Sequence, residues 1–256
     1  MVESIKQEKP DFVFAAHVET ASGIILPDDY IKALSDAVHS VGGMLVLDCV
    51  ASGAIWIDMK ELGVDILISA PQKGWSGSPC AGLVMLSALA SERLQQTAST
   101  SFSCDLKKWR DIMAAYEKGG HAYHATMPTD GLKAFAEVMR ETQEMGFANA
   151  RAAQEELGAK VRELLVGQGI KNLAAPGFEA PSVVVSYTND GEMQSGKKFA
   201  ALGMQIAAGV PLQCDEAEDF KTFRIGLFGL DKLLNIDRTV TSLAKTLNKM
   251  SLEAVA

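Results

Sequence analysis

Lys73 stands alone in the stretch SAPQKGWSGSPCAGLVMLS (69–87), between two apolar runs and among small residues. A primary amine at the end of a buried strand can attack a carbonyl carbon, because loss of water favours its uncharged form. Asp48 closes another apolar run, MLVLD (44–48). A carboxylate in such a place can hold a cationic nitrogen and keep it protonated. Each residue also has an ordinary reading, Lys73 as a solvated loop cation and Asp48 as a turn or helix-capping residue. The pair gains meaning only if the fold brings both to one rim.

The surrounding elements favour that arrangement. FVFAA (12–16), MLVLD, VDILIS (64–69) and GLVMLS (82–87) are apolar runs without alternation, the pattern of strands covered on both faces. Helical periodicity in DYIKALSDAVHSVGG (29–43), ending at Gly42-Gly43, separates the first two runs and predicts a parallel βαβ unit. An open parallel sheet gathers ligands beyond the carboxyl ends of its strands, where Asp48 and Lys73 would both lie. Helices are predicted over ALASERLQQ (88–96) and LKKWRDIMAAYEKG (106–119), and over one long stretch from Thr129 to Val166. Further on, PSVVVSY (181–187) and FRIGLFG (223–229) read as strands, while GEMQSGKKFAALG (191–203) and IDRTVTSLAKTLNKM (236–250) read as helices. The expected fold class is α/β: a mostly parallel sheet within residues 1–145 and a smaller α+β domain over 146–256.

Composition narrows the function classes. With 24 Lys and Arg against 32 Asp and Glu, and no basic block, nucleic acid and anionic membranes are not expected partners. The four cysteines show no C-x-x-C pair, and four histidines give no metal-ligand spacing, so reduced thiols in a cytoplasmic protein without a metal site are expected. MVESIKQEKPDF (1–12) lacks the apolar core of a signal peptide, and no apolar run reaches membrane-spanning length.

A strand-end lysine with a strand-end aspartate matches what pyridoxal phosphate (PLP) needs: an amine for its aldehyde and a carboxylate for its ring nitrogen. Here the sequence resembles the class V aminotransferases of the aspartate-aminotransferase fold (fold type I), in particular the alanine–glyoxylate and serine–pyruvate group. HVETASG (17–23) is similar to that group's H-x-E-[ST]-x-x-G segment, VLDCVASGA (46–54) to D-x-V-x-S, and SAPQKGWSGSPCAG to the S-x-x-Q-K lysine loop. YHATMPTDGLKAF (123–135) resembles Y-H-x-T-x-P-x-x-x-L, and FRIGLFG resembles W-R-I-G-x-M-G. Five matches in the right order run from about residue 10 to the C-terminus.

The resemblance implies roles. Lys73 would be the Schiff-base and proton-transfer lysine, Asp48 the partner of the ring nitrogen, and Val50 the packing surface under the ring. Thr20 and Gln72 would hydrogen-bond near the ring hydroxyl or phosphate. Tyr123 and Thr126 would reach the phosphate held by the other subunit of a homodimer, and Arg224 would clamp the substrate carboxylate with its planar fork. The implied reaction moves an amino group from a small amino acid of the alanine or serine class to a 2-oxo acid such as glyoxylate or pyruvate. Trp75 and Trp109 read as packing residues, and His17 as a satisfied strand-end histidine.

The resemblance also implies a longer chain ahead of Phe12, carrying a helix N-terminus for the phosphate and an aromatic residue stacked on the ring. Residues 1–16 hold neither, so the expectation is a family member shortened at its N-terminus, binding PLP weakly by itself and exposing a sheet edge. Two alternatives follow. One is a catalytically impaired assembly subunit. The other is a PLP-dependent lyase or desulfurase, for which Cys104 is the candidate thiol.

Overall fold

The computed structural model describes residues 1–253. The chain opens with helix α1 (Val2–Glu8), strand β1 (Phe12–Ala16), a small hairpin of β2 (Val18–Glu19) and β3 (Ile24–Ile25), and helix α2 (Asp28–His39). Strand β4 (Met44–Asp48), the single turn α3 (Met59–Leu62), β5 (Ile66–Ser69) and β6 (Leu83–Leu86) complete the first sheet. Four helices follow: α4 (Ala88–Gln95), α5 (Leu106–Glu117), α6 (Thr129–Met145) and α7 (Phe147–Gly167). The last part holds β7 (Val183–Tyr187), α8 (Gly191–Gln194), α9 (Lys197–Ala201), β8 (Ala207–Ala208), β9 (Thr222–Gly226), α10 (Leu230–Leu234) and α11 (Ile236–Glu253).

The first sheet has the order β1-β4-β5-β6, with β1, β4 and β5 parallel. Helix α2 is the crossover between β1 and β4. It presents Ile31, Leu34, Ala37 and Val38 on one buried face, at the spacing of a 3.6-residue repeat. Acidic Asp28 and Asp29 sit in its first turn, where the helix dipole favours them. The Gly42-Gly43 turn then sends the chain back, and a side chain at Gly43 would collide with the Pro10 carbonyl.

The sheet is mostly parallel, as expected; β6 runs antiparallel to β5, because the chain turns straight back through the lysine loop without a crossover. Three expectations need correction. Strand β1 is an edge strand covered on one face only: Val13 is buried while Phe14 is 72% exposed. The long stretch from Thr129 is broken into α6 and α7 at Gly146, whose φ of 86° is left-handed and unsuited to a continuing helix. The segment 191–203 likewise divides at Gly196, φ 78°.

The second sheet, β7-β9-β8, is antiparallel. Phe199, Phe223, Val184 and Leu227 form its core with Leu157 and Val161 of α7. Ala54, from the loop after β4, belongs to the same core. The two sheets are thus joined through the segment that follows Asp48. No described helix is long and apolar enough to cross a membrane.

Candidate active site

Parallel pairing sets the rim. Asp48 lies opposite Ala16 of β1 and Ile68 of β5, so three strands end at the same edge of the sheet. The Asp48 carboxylate is exposed, and its Oδ1 accepts the Val50 N–H at 2.8 Å, which folds the chain sharply away from the strand. Oδ2 has no hydrogen-bond partner among the described residues. The backbone behind is fixed by the His17 N–H to the Asp48 carbonyl (2.9 Å) and the Cys49 N–H to the Ile68 carbonyl (2.8 Å).

Four residues beyond β5, the lysine loop closes into a tight turn. Ser76 N–H donates to the Lys73 carbonyl (2.9 Å) and Gly77 N–H to the carbonyl of buried Pro71 (2.8 Å). Ser76 adopts φ 54°, a left-handed conformation uncommon outside glycine. Trp75 packs between Trp56 (ring centroids 5.1 Å apart) and Phe135 (5.8 Å). Lys73 and Gln72 are exposed, and the Lys73 amine has no hydrogen bond or ion pair among the described residues. The backbone of Lys73 is held while its side chain is free.

The glycines of this loop do something the sequence does not suggest. A Cβ on Gly74 would lie 2.6 Å from the Gly53 carbonyl oxygen, and one on Gly77 would lie 3.2 Å from Phe135. Their smallness lets the turn settle on the Asp48 loop and on α6. Gly82 faces open space.

Thr20 occupies the turn of the β2–β3 hairpin. The Glu19 carboxylate accepts the N–H groups of Ala21 (2.9 Å) and Ser22 (2.8 Å), and Gly23 packs against Val185 of the second sheet. Arg224 stands opposite Val185 in β9, half-buried. Its Nε donates to the Ala208 carbonyl (2.7 Å) and its Nη1 approaches the Thr20 carbonyl (3.5 Å). These contacts orient the guanidinium between the hairpin and β8 and leave its remaining N–H groups for an anion.

Behind Asp48 lies His17, read from the sequence as a satisfied strand-end histidine and found buried and hydrogen-bonded. His17 Nδ1 is 2.7 Å from Ser52 Oγ and 3.9 Å from Cys49 Sγ. Burial pushes His17 down to about 4 and Cys49 up to about 12, so both are uncharged at neutral pH. The Cys49 thiol is therefore inert, and the imidazole braces the segment 48–52. The H-x-E and D-x-V-x-S spacings contain these residues, but nothing in either spacing reports that they meet. Exposed Cys104 lies 3.7 Å from Ser103 Oγ, in the same segment as Trp109, whose indole N–H donates to the Ser103 carbonyl.

Tyr123 and Thr126 meet each other, Oη to Oγ1 at 3.4 Å, and both are exposed. No hydrogen bond joins them to Lys73, Asp48, Thr20 or Arg224 among the described residues. The structure thus sets Asp48 and Val50 at the rim and connects Thr20 with Arg224. It leaves Tyr123 and Thr126 as a separate exposed pair.

The chemistry of this set fits PLP. It offers a lysine side chain unpartnered among the described residues for an aldehyde carbon, a carboxylate oxygen for a ring N–H, and the hydroxyl of Thr20 and amide of Gln72 for polar substituents. Among the described residues no group of three or more His, Cys, Asp or Glu could hold a metal ion.

Comparison with known proteins points the same way. The profile of the family described as aminotransferase class-V matches residues 1–209. A 2-aminoethylphosphonate–pyruvate transaminase of Syntrophobacter fumaroxidans is 30% identical over 225 residues, which cover 85% of this chain and 57% of that protein. The alanine–glyoxylate aminotransferase of Oryctolagus cuniculus is 27% identical over 253 residues, 96% of this chain and 62% of its own length. The solved ureidoglycine–glyoxylate aminotransferase of Bacillus subtilis superposes with a TM-score of 0.83 at 22% identity, covering 100% of this chain and 64% of that one. The chain therefore spans less than two thirds of the length of these relatives.

Proposed function

The chain belongs to the class-V aminotransferase family, and on that premise we propose that it carries out PLP-dependent transamination, from a small amino acid of the alanine or serine class to glyoxylate or pyruvate. Its fold is that of the fold-type I aminotransferases, and the cofactor of the family is PLP. The observation that supports the reading is the exposed Lys73 amine, without a partner among the described residues, in a hydrogen-bonded turn that follows β5, the strand ending at the same sheet edge as Asp48.

In this reading Lys73 Nζ would hold the cofactor, and the Asp48 carboxylate would face its ring nitrogen. Val50 supports one face of the ring, while Thr20 and Gln72 bind its hydroxyl or phosphate. Bound there, PLP supplies an electrophilic carbon for amine exchange and a ring that takes up the electron pair left when the substrate Cα loses its proton. The free N–H groups of Arg224 grip the substrate carboxylate in a bidentate manner and aim its Cα at the lysine. Lys73 Nζ would also be the base that takes up and holds the proton leaving the substrate Cα.

Residues 1–145 form the cofactor domain of this reading and residues 146–256 the small domain. Tyr123 and Thr126 act across a homodimer, on the phosphate of the other subunit. Their exposure supports that role, as does α5, which has no buried residue and leaves Met113 and Tyr116 in solvent. Four free cysteines suit a reducing, cytoplasmic compartment. The test is to saturate the protein with PLP, supply alanine and glyoxylate, and follow pyruvate, with sedimentation run alongside. Pyruvate formation by a dimer is expected. A PLP-saturated protein that transfers no amino group from alanine or serine to either glyoxylate or pyruvate would refute the proposed reaction.

A further inference from the structure

Gln154 on α7 is fully buried, and it lies in neither the rim nor any motif of the sequence. Its Nε2 donates to two carbonyls, Pro181 at 3.0 Å and Leu227 at 3.2 Å. These belong to the segments just before β7 and just after β9, the two strands paired at Val185 and Arg224. One amide therefore ties together both ends of the hairpin-like unit that carries the guanidinium. Its Oε1 is buried with no partner among the described residues, a state that buried polar atoms rarely keep without reason.

That oxygen points at Gly53. A Cβ on Gly53 would stand 2.6 Å from Gln154 Oε1 and 2.8 Å from Ser182 Cβ. The backbone of Gly53 is in turn the surface on which Gly74 rests, next to Lys73. A second route leads to the same turn. The Leu227 carbonyl held by Gln154 opens the segment to Gly229, where any side chain would collide with Ser76. Ser76 is the residue whose N–H closes the Lys73 turn. Ser182 reinforces the junction by donating from Oγ to the Ala51 carbonyl at 2.6 Å. The lysine turn thus rests at Gly74 on the Gly53 backbone that faces Gln154 Oε1, and at Ser76 on Gly229, two residues beyond the carbonyl that Gln154 binds.

We propose that Gln154 is a positioning residue: it fixes the backbone turn from which the Lys73 amine reaches out, and so the space that amine samples. The inference rests on Lys73 being the reactive amine. The contact route is backbone to backbone at Gly53 and Gly74, where there is no side chain to absorb a shift. A displaced amide would pass its movement directly to the turn.

The test needs neither cofactor nor turnover. Wild type, Gln154→Met and Gln154→Asn are treated with formaldehyde and cyanoborohydride, and peptide mass spectrometry gives the rate of Lys73 methylation relative to exposed Lys133 on α6. Gln154→Met keeps the length and removes the amide. Gln154→Asn keeps an amide but withdraws it from Gly53. The Lys73-to-Lys133 ratio should change by roughly threefold or more in Gln154→Met, within the range seen for coupled positions, and by less in Gln154→Asn. A lowered melting temperature with an unchanged ratio in both would make Gln154 purely structural and overturn the proposal. If only one variant folds, its ratio decides. If neither folds, Gln154 is a folding determinant and the positioning role is withdrawn. Failure of PLP to attach at Lys73 would strike the functional reading alone, since the methylation ratio reports on the turn without PLP.

Discussion

The lysine turn and the segment around Tyr123 both carry residues singled out by motif, and they are built in opposite ways. Around Lys73 the chain is braced on every side, by the Trp56–Trp75–Phe135 ring contacts, by Gly74 on Gly53 and by two backbone hydrogen bonds. Around Tyr123 almost nothing is buried. Tyr123 is 72% and Phe102 66% exposed, and the two segments are held by exposed contacts such as His124 Nε2 with the Phe102 carbonyl. The contrast separates what this chain organises by itself from what it would complete only with a second surface. In the proposed reading, the covalent and ring-nitrogen contacts would fall in the first class and the cross-subunit phosphate contacts in the second.

The largest expected effect is on chemistry at the braced side. Asp48→Asn keeps an oxygen for the Val50 N–H but removes the negative charge that the proposed reading sets against the ring nitrogen. Turnover of alanine with glyoxylate should fall by about 10²–10³, the loss typical of one preorganised electrostatic partner. The melting temperature should hardly move, because the carboxylate is exposed. Equal losses of both would show that Asp48 acts through the fold.

The next effect is a pH dependence of stability from His17. Burial lowers its folded value to about 4 from the ordinary 6.5, so the unfolded chain binds the proton more readily. Stability from this group is complete above the unfolded value and is lost as pH falls from there towards 4. The integrated loss is on the order of 3 kcal/mol. Denaturant melts between pH 7 and pH 4 should therefore be flatter for a folded His17→Asn than for wild type. Identical slopes would mean that the imidazole is not the buried neutral group described.

The smallest pair addresses the comparison itself. Gly74→Ala forces a methyl against the Gly53 carbonyl and should cost about 1–3 kcal/mol, as overpacking does. Tyr123→Ala, on the open side, should change the stability of the isolated subunit by less than about 0.5 kcal/mol. Chemical denaturation at low protein concentration measures both. A Tyr123 variant as damaged as the Gly74 variant would erase the distinction between the two regions.

Much of the braced half is legible in the sequence. MLVLD and VDILIS are strands because buried parallel strands need continuous apolar runs, and Asp48 is where that run stops. The direction of β6 is not legible, since an apolar run carries no sign of whether its partner lies parallel or antiparallel. Nor is the exposure of Phe14, which depends on β1 being at the edge and not on its composition. Hairpin β2–β3 escapes because two-residue strands have no periodicity to read. Gly53 and Gln154 escape for another reason. Their importance lies in contacts between segments about a hundred residues apart, and the local pattern of α7 treats Gln154 as one more polar position on a helix.

The measurement that bears most directly on the account is the site of covalent attachment of PLP. The protein is incubated with PLP, reduced with borohydride, digested, and mapped for the pyridoxyl group by mass spectrometry. The expected result is attachment at Lys73 in preference to the other lysines, with loss of that adduct in a folded Lys73→Ala. Modification spread evenly over surface lysines, or an undiminished specific adduct in Lys73→Ala, would contradict it.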